Sequence, residues 1–263
     1  MMVKNNNILK FKFYPTPSIY NTSARSNTEL YFNEHFTELR QRLFYILSFF
    51  SLFTFLTFLN VKDVVKVLES PIPNIHFFQL SPGEYFVSTL VISFSTGILF
   101  STPLLLSQTL FFFRPALTKT EKNIVIYLLV SSIFLFLIGL IFSYFLLIPA
   151  ALNFFLLYAS EVIEPLWSFS QYFNFISALF FSTGLVFQVP IVQIVLSLSK
   201  LIDPSKMLNY WRPMILFSTI LGAILTPSAD PITQLLLSSA LFLLYFFGSI
   251  ASIKLLKNQV IET

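Results

Sequence analysis

Glu38, Arg40 and Arg42 lie in NEHFTELRQRLF (33–44), at the edge of a long apolar run that opens at Leu43. Glu38 and Arg42 are four residues apart, so a helix places them on one face. There they can form an ion pair of ~0.3–0.5 kcal/mol, while the arginine stems anchor the run at a lipid boundary. A second polar feature is Gln188 in GLVFQVPIV. Pro190 beside it removes a backbone donor, and the resulting kink is expected to open a polar notch at membrane depth. Gln108, Gln193 and Gln234 also fall in apolar surroundings. The usual task of such groups is interhelical hydrogen bonding worth ~0.6 kcal/mol, and at most ~2. Asp230, in PSADP, reads as a turn former.

Several chemistries lack their residues. The 12 acids and 16 bases all fall in tails or between apolar runs, as do His35 and His76, and cysteine is absent. Haem ligation needs axial histidines, a zinc protease needs paired histidines with a glutamate, and a proton pump ordinarily needs a carboxylate at membrane depth. None of the 6 glycines opens a phosphate-binding G-x-x-x-x-G-K run. The expectation is a protein with no cofactor or metal that is not an enzyme and does not hydrolyse ATP by itself.

The elements that carry these residues follow from composition. Hydrophobic residues make up 56% of the chain and charged residues 11%, against roughly 25% charged in a soluble domain. Six runs lack Asp, Glu, Lys and Arg: 43–59, 85–113, 124–151, 172–198, 214–226 and 232–253. A helix needs ~20 apolar residues to cross the ~30 Å hydrocarbon core. The fifth run is short, and must thin the bilayer, lean on neighbours or form a re-entrant hairpin with the sixth. Of the 16 lysines and arginines, all but Lys62 and Lys66 fall on one face if six spans are threaded. By the positive-inside rule that face, with both termini, is cytoplasmic or stromal. Pro103, Gly139, Pro149, Gly184, Pro190 and Gly222 sit inside runs and should bend them. The predicted fold is all-α: a polytopic bundle of six transmembrane helices, the fifth and sixth short or kinked, with a concave face. A basic tail (1–33) precedes the membrane domain (34–253), and a short tail (254–263) follows. The first 28 residues carry four bases and no acid, a pattern shared by organellar transit peptides and by uncleaved basic tails.

Five stretches, taken in order, resemble the TatC family, the multi-span subunit of the twin-arginine protein translocase. NEHFTELRQRL (33–43) is similar to its H-L-x-E-L-R-x-R-L opening, and FRPALTKTEK (113–122) to its first cytoplasmic loop. FSYFLLIPAALNFF (142–155), STGLVFQVPIV (182–192) and LTPSADPITQLLL (225–237) resemble later signatures. The resemblance implies that Glu38 and Glu121 bind the paired arginines of substrate signal peptides. Arginine's planar fork pairs bidentately with carboxylate and lysine's ammonium does not, so two carboxylates at the membrane surface would select RR over KK. It also implies that Phe112, Phe113 and Pro115 shape the loop holding Glu121, and that Arg40, Arg42 and Lys119 lie near the signal site. Gln188 matches a position often occupied by glutamate in bacterial members, and Asp230 a family aspartate on the far face. The implied partners are twin-arginine signal peptides of folded proteins, small single-span subunits of TatA and TatB type, further copies of the chain and the bilayer, with no nucleic acid. The implied transport is driven by the proton gradient.

Gln188, PGEYF (82–86) and PLWSFSQYFNF (165–175) look closer to the cyanobacterial and plastid branch, and the 34 phenylalanines suit an AT-biased organellar genome. A thylakoid membrane is favoured over a mitochondrial inner or bacterial plasma membrane. Two other classes stay open from the residues: a small-solute transporter, which would gather polar groups at the midplane, and a structural subunit of an electron-transfer or photosynthetic complex, which would carry pigment or haem.

Overall fold

The computed structural model describes the backbone of residues 19–71, 77–113, 121–159, 166–199, 201–227 and 230–262. Ten helices follow in order: α1 (Ile19–Leu59), α2 (Val61–Glu69), α3 (Glu84–Phe113), α4 (Glu121–Phe142), α5 (Ile148–Ala159), α6 (Phe169–Val186), α7 (Val189–Leu198), α8 (Pro204–Asn209), α9 (Trp211–Leu225) and α10 (Pro231–Glu262). Two short strands, β1 (Phe77–Phe78) and β2 (Trp167–Ser168), pair in parallel, Phe77 with Trp167 and Phe78 with Ser168. The chain divides into two compact units, Met1–Phe44 and Tyr45–Thr263. In the first, α1 presents exposed Leu39, Arg40, Leu43 and Phe44, with Arg42 half-buried.

Among the described residues, five stretches are long and apolar enough to cross a membrane: Leu39–Leu59, Glu84–Leu110, Val125–Tyr158, Phe169–Leu198 and Pro231–Leu255, with α9 as a shorter apolar helix. This is the predicted set of six, with α9 the short member at 15 residues, or ~22 Å of helix. The sixth differs from expectation: α10 runs unbroken for 32 residues. Its one internal glycine, Gly248, makes room for a neighbour instead of ending the helix. The third stretch continues past Ala151, the predicted end of its run, to Ala159, and no Asp, Glu, Lys or Arg occurs between Lys122 and Glu161.

The helix breakers act in three ways. Pro103 is carried inside a continuous α3. Pro149 follows a π-helical turn, Ser143–Leu147, that joins α4 to α5 and in which the amide of Ile148 reaches the carbonyl of Ser143. A widened turn is one way for a helix to absorb a proline that lacks its N–H and crowds the carbonyl four residues back. Pro190 divides the fourth span: α6 ends at Val186 and α7 starts at Val189, with Pro190 in its first turn, where the missing donor is unneeded.

The fourth span is the centre of the larger unit. Its window is 67% buried, against 6% for that of α1. Tyr172, Phe173, Ile176 and Leu179 of α6 are buried against Ile92 of α3 and Ile148 and Leu152 of α5. A second cluster joins Leu110, Val125 and Leu128 to Ile191, Ile194 and Leu198. It braces the end of α3 and the start of α4.

At the α2 end of the bundle the start of α6 is fixed by a sequence device. Ser168 and Gln171 have capping-box spacing, and the Ser168 hydroxyl accepts from the Gln171 amide at 3.5 Å. That hydroxyl donates to Glu84 Oε1 at 2.8 Å, and Glu84 also accepts from the amides of Ser170 (3.2 Å) and Leu80 (2.5 Å). One carboxylate thus ties the starts of α3 and α6 together, with its charge at the positive end of α6. Glu84→Gln is expected to lower the thermal midpoint of the detergent-solubilised protein, and Ser168→Ala to add little in that background. Additive losses in a thermal-shift assay would contradict the shared clamp.

Candidate functional site

The residues assigned to signal recognition fall on three elements. Glu38 lies within α1, Phe112 and Phe113 in the last turn of α3, and Glu121 is the first residue of α4. The side chains of these four, and all of Pro115 and Lys119, lie outside the described residues. Arg40 is exposed on α1 and Arg42 half-buried. Glu121 therefore sits where the unpaired amides and dipole of α4 favour a negative charge. The Leu110–Leu128–Ile194 cluster packs the last turns of α3 with the first turns of α4 against α7.

Gln188 is placed in the turn that separates α6 from α7, and it is 6% exposed. The sequence suggests a polar notch there; the structure shows a closed pair. Ser132 Oγ donates to Gln188 Oε1 at 2.6 Å, and Gln188 Nε2 donates to the Ser132 carbonyl at 3.2 Å. Both ends of the amide are used to hold α4 against the broken fourth span. Gly139 and Gly184 allow the same approach: a side chain at Gly139 would meet the Phe187 ring at 3.0 Å, and one at Gly184 the Phe136 ring at 2.6 Å. For Ser132→Ala and Gln188→Leu, a double-mutant cycle read by denaturant unfolding in detergent is expected to give a coupling of about 0.6–1.7 kcal/mol. Zero coupling would show that the pair contributes nothing.

Asp230 is 1% exposed and caps α10. Its Oδ2 accepts from the Thr233 amide at 2.9 Å and from the Thr233 hydroxyl at 2.5 Å, and Pro231 follows as the first helical residue. That is turn and cap chemistry, as PSADP suggests.

Among the loop charges, Lys206 of α8 donates to Asp203, the residue before that helix, and this bond together with the Asp203 charge raises the Lys206 ammonium above its ordinary range. Arg212 lies over the Trp211 ring, 5.3 Å from its centroid. At the opposite end of the bundle, burial pushes the Glu69 carboxyl above the usual carboxylate range. The last carbonyls of α2 are capped there by tyrosines: Tyr144 donates to Val67 O at 3.2 Å and Tyr172 to Leu68 O at 3.1 Å.

Sequence reasoning singled out neither Glu84 nor Ser132. The signal for the first was available in the Ser168–Gln171 spacing. The second has none, because a serine in an apolar helix gains its meaning only from what faces it.

Among the described residues, five long apolar helices and a shorter one, a proline-divided central span and polar groups spent on bonds between helices define a polytopic membrane protein. The family model for TatC, the Sec-independent protein translocase protein, matches residues 34–239, and the chain belongs to that family. It is 55% identical over 252 residues to an uncharacterized tatC-like protein, ycf43, of Trieres chinensis, covering 95% of each chain. It is 42% identical over 237 residues to the Sec-independent protein translocase protein TatC of Synechocystis sp., covering 90% of this chain and 93% of that one. To the chloroplastic TATC of Pisum sativum it is 42% identical over 223 residues, 82% of this chain and 62% of that one. Among solved structures, it is similar to a crystal structure of the twin-arginine translocase receptor TatC in the detergent DDM. The TM-score is 0.72 at 32% identity, over 83% of this chain and 99% of that one.

Proposed function

We propose that this chain is the receptor core of a twin-arginine translocase, and that Glu38 and Glu121 together hold the arginine pair of a signal peptide. The observation that carries this reading is family membership across residues 34–239, with both carboxylates inside the matched segment on elements that the charge distribution assigns to one face. Arg40, Arg42 and Lys119 then tune the charge around the carboxylates, and Phe112, Phe113 and Pro115 shape the connection. Gln188 and Asp230 act through the scaffold, as helix tie and helix cap. The same reading gives the chain small single-span partner subunits of TatA and TatB type and further copies of itself. It places the chain in a thylakoid membrane with both termini in the stroma, and makes its task transport of folded proteins on a proton gradient rather than catalysis.

The test is photocrosslinking of an RR signal peptide, with a KK control, to membranes carrying the full chain. Strong RR and weak KK labelling is expected. Equal labelling would remove the receptor assignment. A small-solute transporter would instead show saturable uptake without partner subunits.

A further inference from the structure

A cavity of about 420 Å³ lies in the larger unit at its α2 end, between α2, α3, α4 and α6. We propose that it holds an acyl chain of a lipid from the leaflet on the α2 side.

Three features point to hydrocarbon. The cavity is continuous with the lipid-facing surface, since Phe100 and Leu137 line it and are 58% and 48% exposed on two spans. From that edge it runs inward to Phe136 and Phe180, which are 3% and 8% exposed. The exposed polar residues of its lining, Asn60 and Asp63, mark a mouth at the junction of α1 and α2, where Asp63 pairs with Lys66 at 3.3 Å and Lys62 is exposed beside them. A lipid fits that polarity, with its head at the charged corner between α1 and α2 and its tail against the aromatic floor.

The walls also discriminate against protein occupants. A helix ~10 Å across would fill the volume with about one turn. An extended segment would bring amides and carbonyls that must be satisfied, and away from the mouth the walls offer only Thr96, whose hydroxyl already donates to Ile92 O at 2.8 Å, and Ser177. A hydrocarbon chain carries no such groups. An empty space of this size would forfeit the dispersion contacts of its lining. Pro103 explains why the space exists: it lacks the N–H that would bond the Leu99 carbonyl, and both residues line the cavity, so α3 is loosened where the chain would enter.

The experiment reconstitutes the full chain in phosphatidylcholine vesicles containing a small fraction of phosphatidylcholine with a diazirine midway along one acyl chain, irradiates, and maps adducts by mass spectrometry. Adducts are expected on Phe136 and Phe180 as well as on the exposed Phe134 and Phe145. Ser177→Phe, which fills the cavity, is expected to abolish the first pair and keep the second; Leu140→Phe serves the same purpose if that variant fails to fold. Wild-type adducts confined to exposed residues would overturn the proposal. So would cavity adducts that survive the filled variants, or equal cavity labelling from a diazirine on the headgroup.

Discussion

Replacing Glu38 and Glu121 together by glutamine is expected to weaken capture of an RR signal peptide by about two to four orders of magnitude, each carboxylate–guanidinium contact contributing ~1.5–3 kcal/mol. Glutamine keeps the shape and one acceptor, so the loss isolates charge. Each single variant should account for about half of the free energy. The wild type should discriminate against a KK peptide, because an ammonium cannot make the two parallel bonds that a guanidinium makes to one carboxylate. Titrating a fluorescent signal peptide against protein in nanodiscs measures all of these. Unchanged affinity in the double variant would mean that the arginines are read elsewhere on the chain.

The second large effect concerns the scaffold. Gly248→Val is expected to prevent the protein from accumulating in the membrane. At Gly248 of α10 a side chain would fall 2.8 Å from the Cα of Pro190 and onto Oε1 of Gln193, whose Nε2 donates to Ser249 at 3.2 Å. The first of these is backbone at the head of α7, which the proline holds stiff. Overpacking of this kind costs typically ~1–3 kcal/mol, and more where the neighbour cannot yield. The small residue also matters because helices in lipid associate by close packing and hydrogen bonds instead of by hydrophobic burial. The control is Gly83→Ala, where nothing lies within 4 Å. It should leave both membrane abundance and thermal midpoint unchanged. Normal levels of Gly248→Val would show that α7 and α10 can move apart freely.

The number of spans and their limits were legible because charge is excluded from hydrocarbon: the charge-free runs at 43–59, 85–113 and 172–198 lie within the long apolar stretches of the structure to within about a turn. The break at Pro190 was legible for a similar reason, since a proline announces a missing donor. What faces each polar group was not. Gln188 reads as an opening in the sequence, yet is closed by Ser132, 56 residues away. Glu84 is only one residue of PGEYF in the sequence, yet it accepts three bonds, from Leu80, Ser168 and Ser170. The sequence suggests a short or kinked sixth span, yet α10 runs 32 residues through Gly248, which packs against Pro190. The signal site was legible only as motif, through the acids in NEHFTELRQRL and TKTEK.

The absence of cysteine permits a direct test of that site. Spin labels attached through Glu38→Cys and Glu121→Cys would be the only two in the chain, and pulsed electron–electron resonance in nanodiscs reads the distance between them. Two adjacent arginines, with Cα atoms ~3.8 Å apart and fully extended arms, span on the order of 20 Å. The account predicts one narrow distance at or below that reach. A distance of ~30 Å or more, the thickness of the hydrocarbon core, would contradict it.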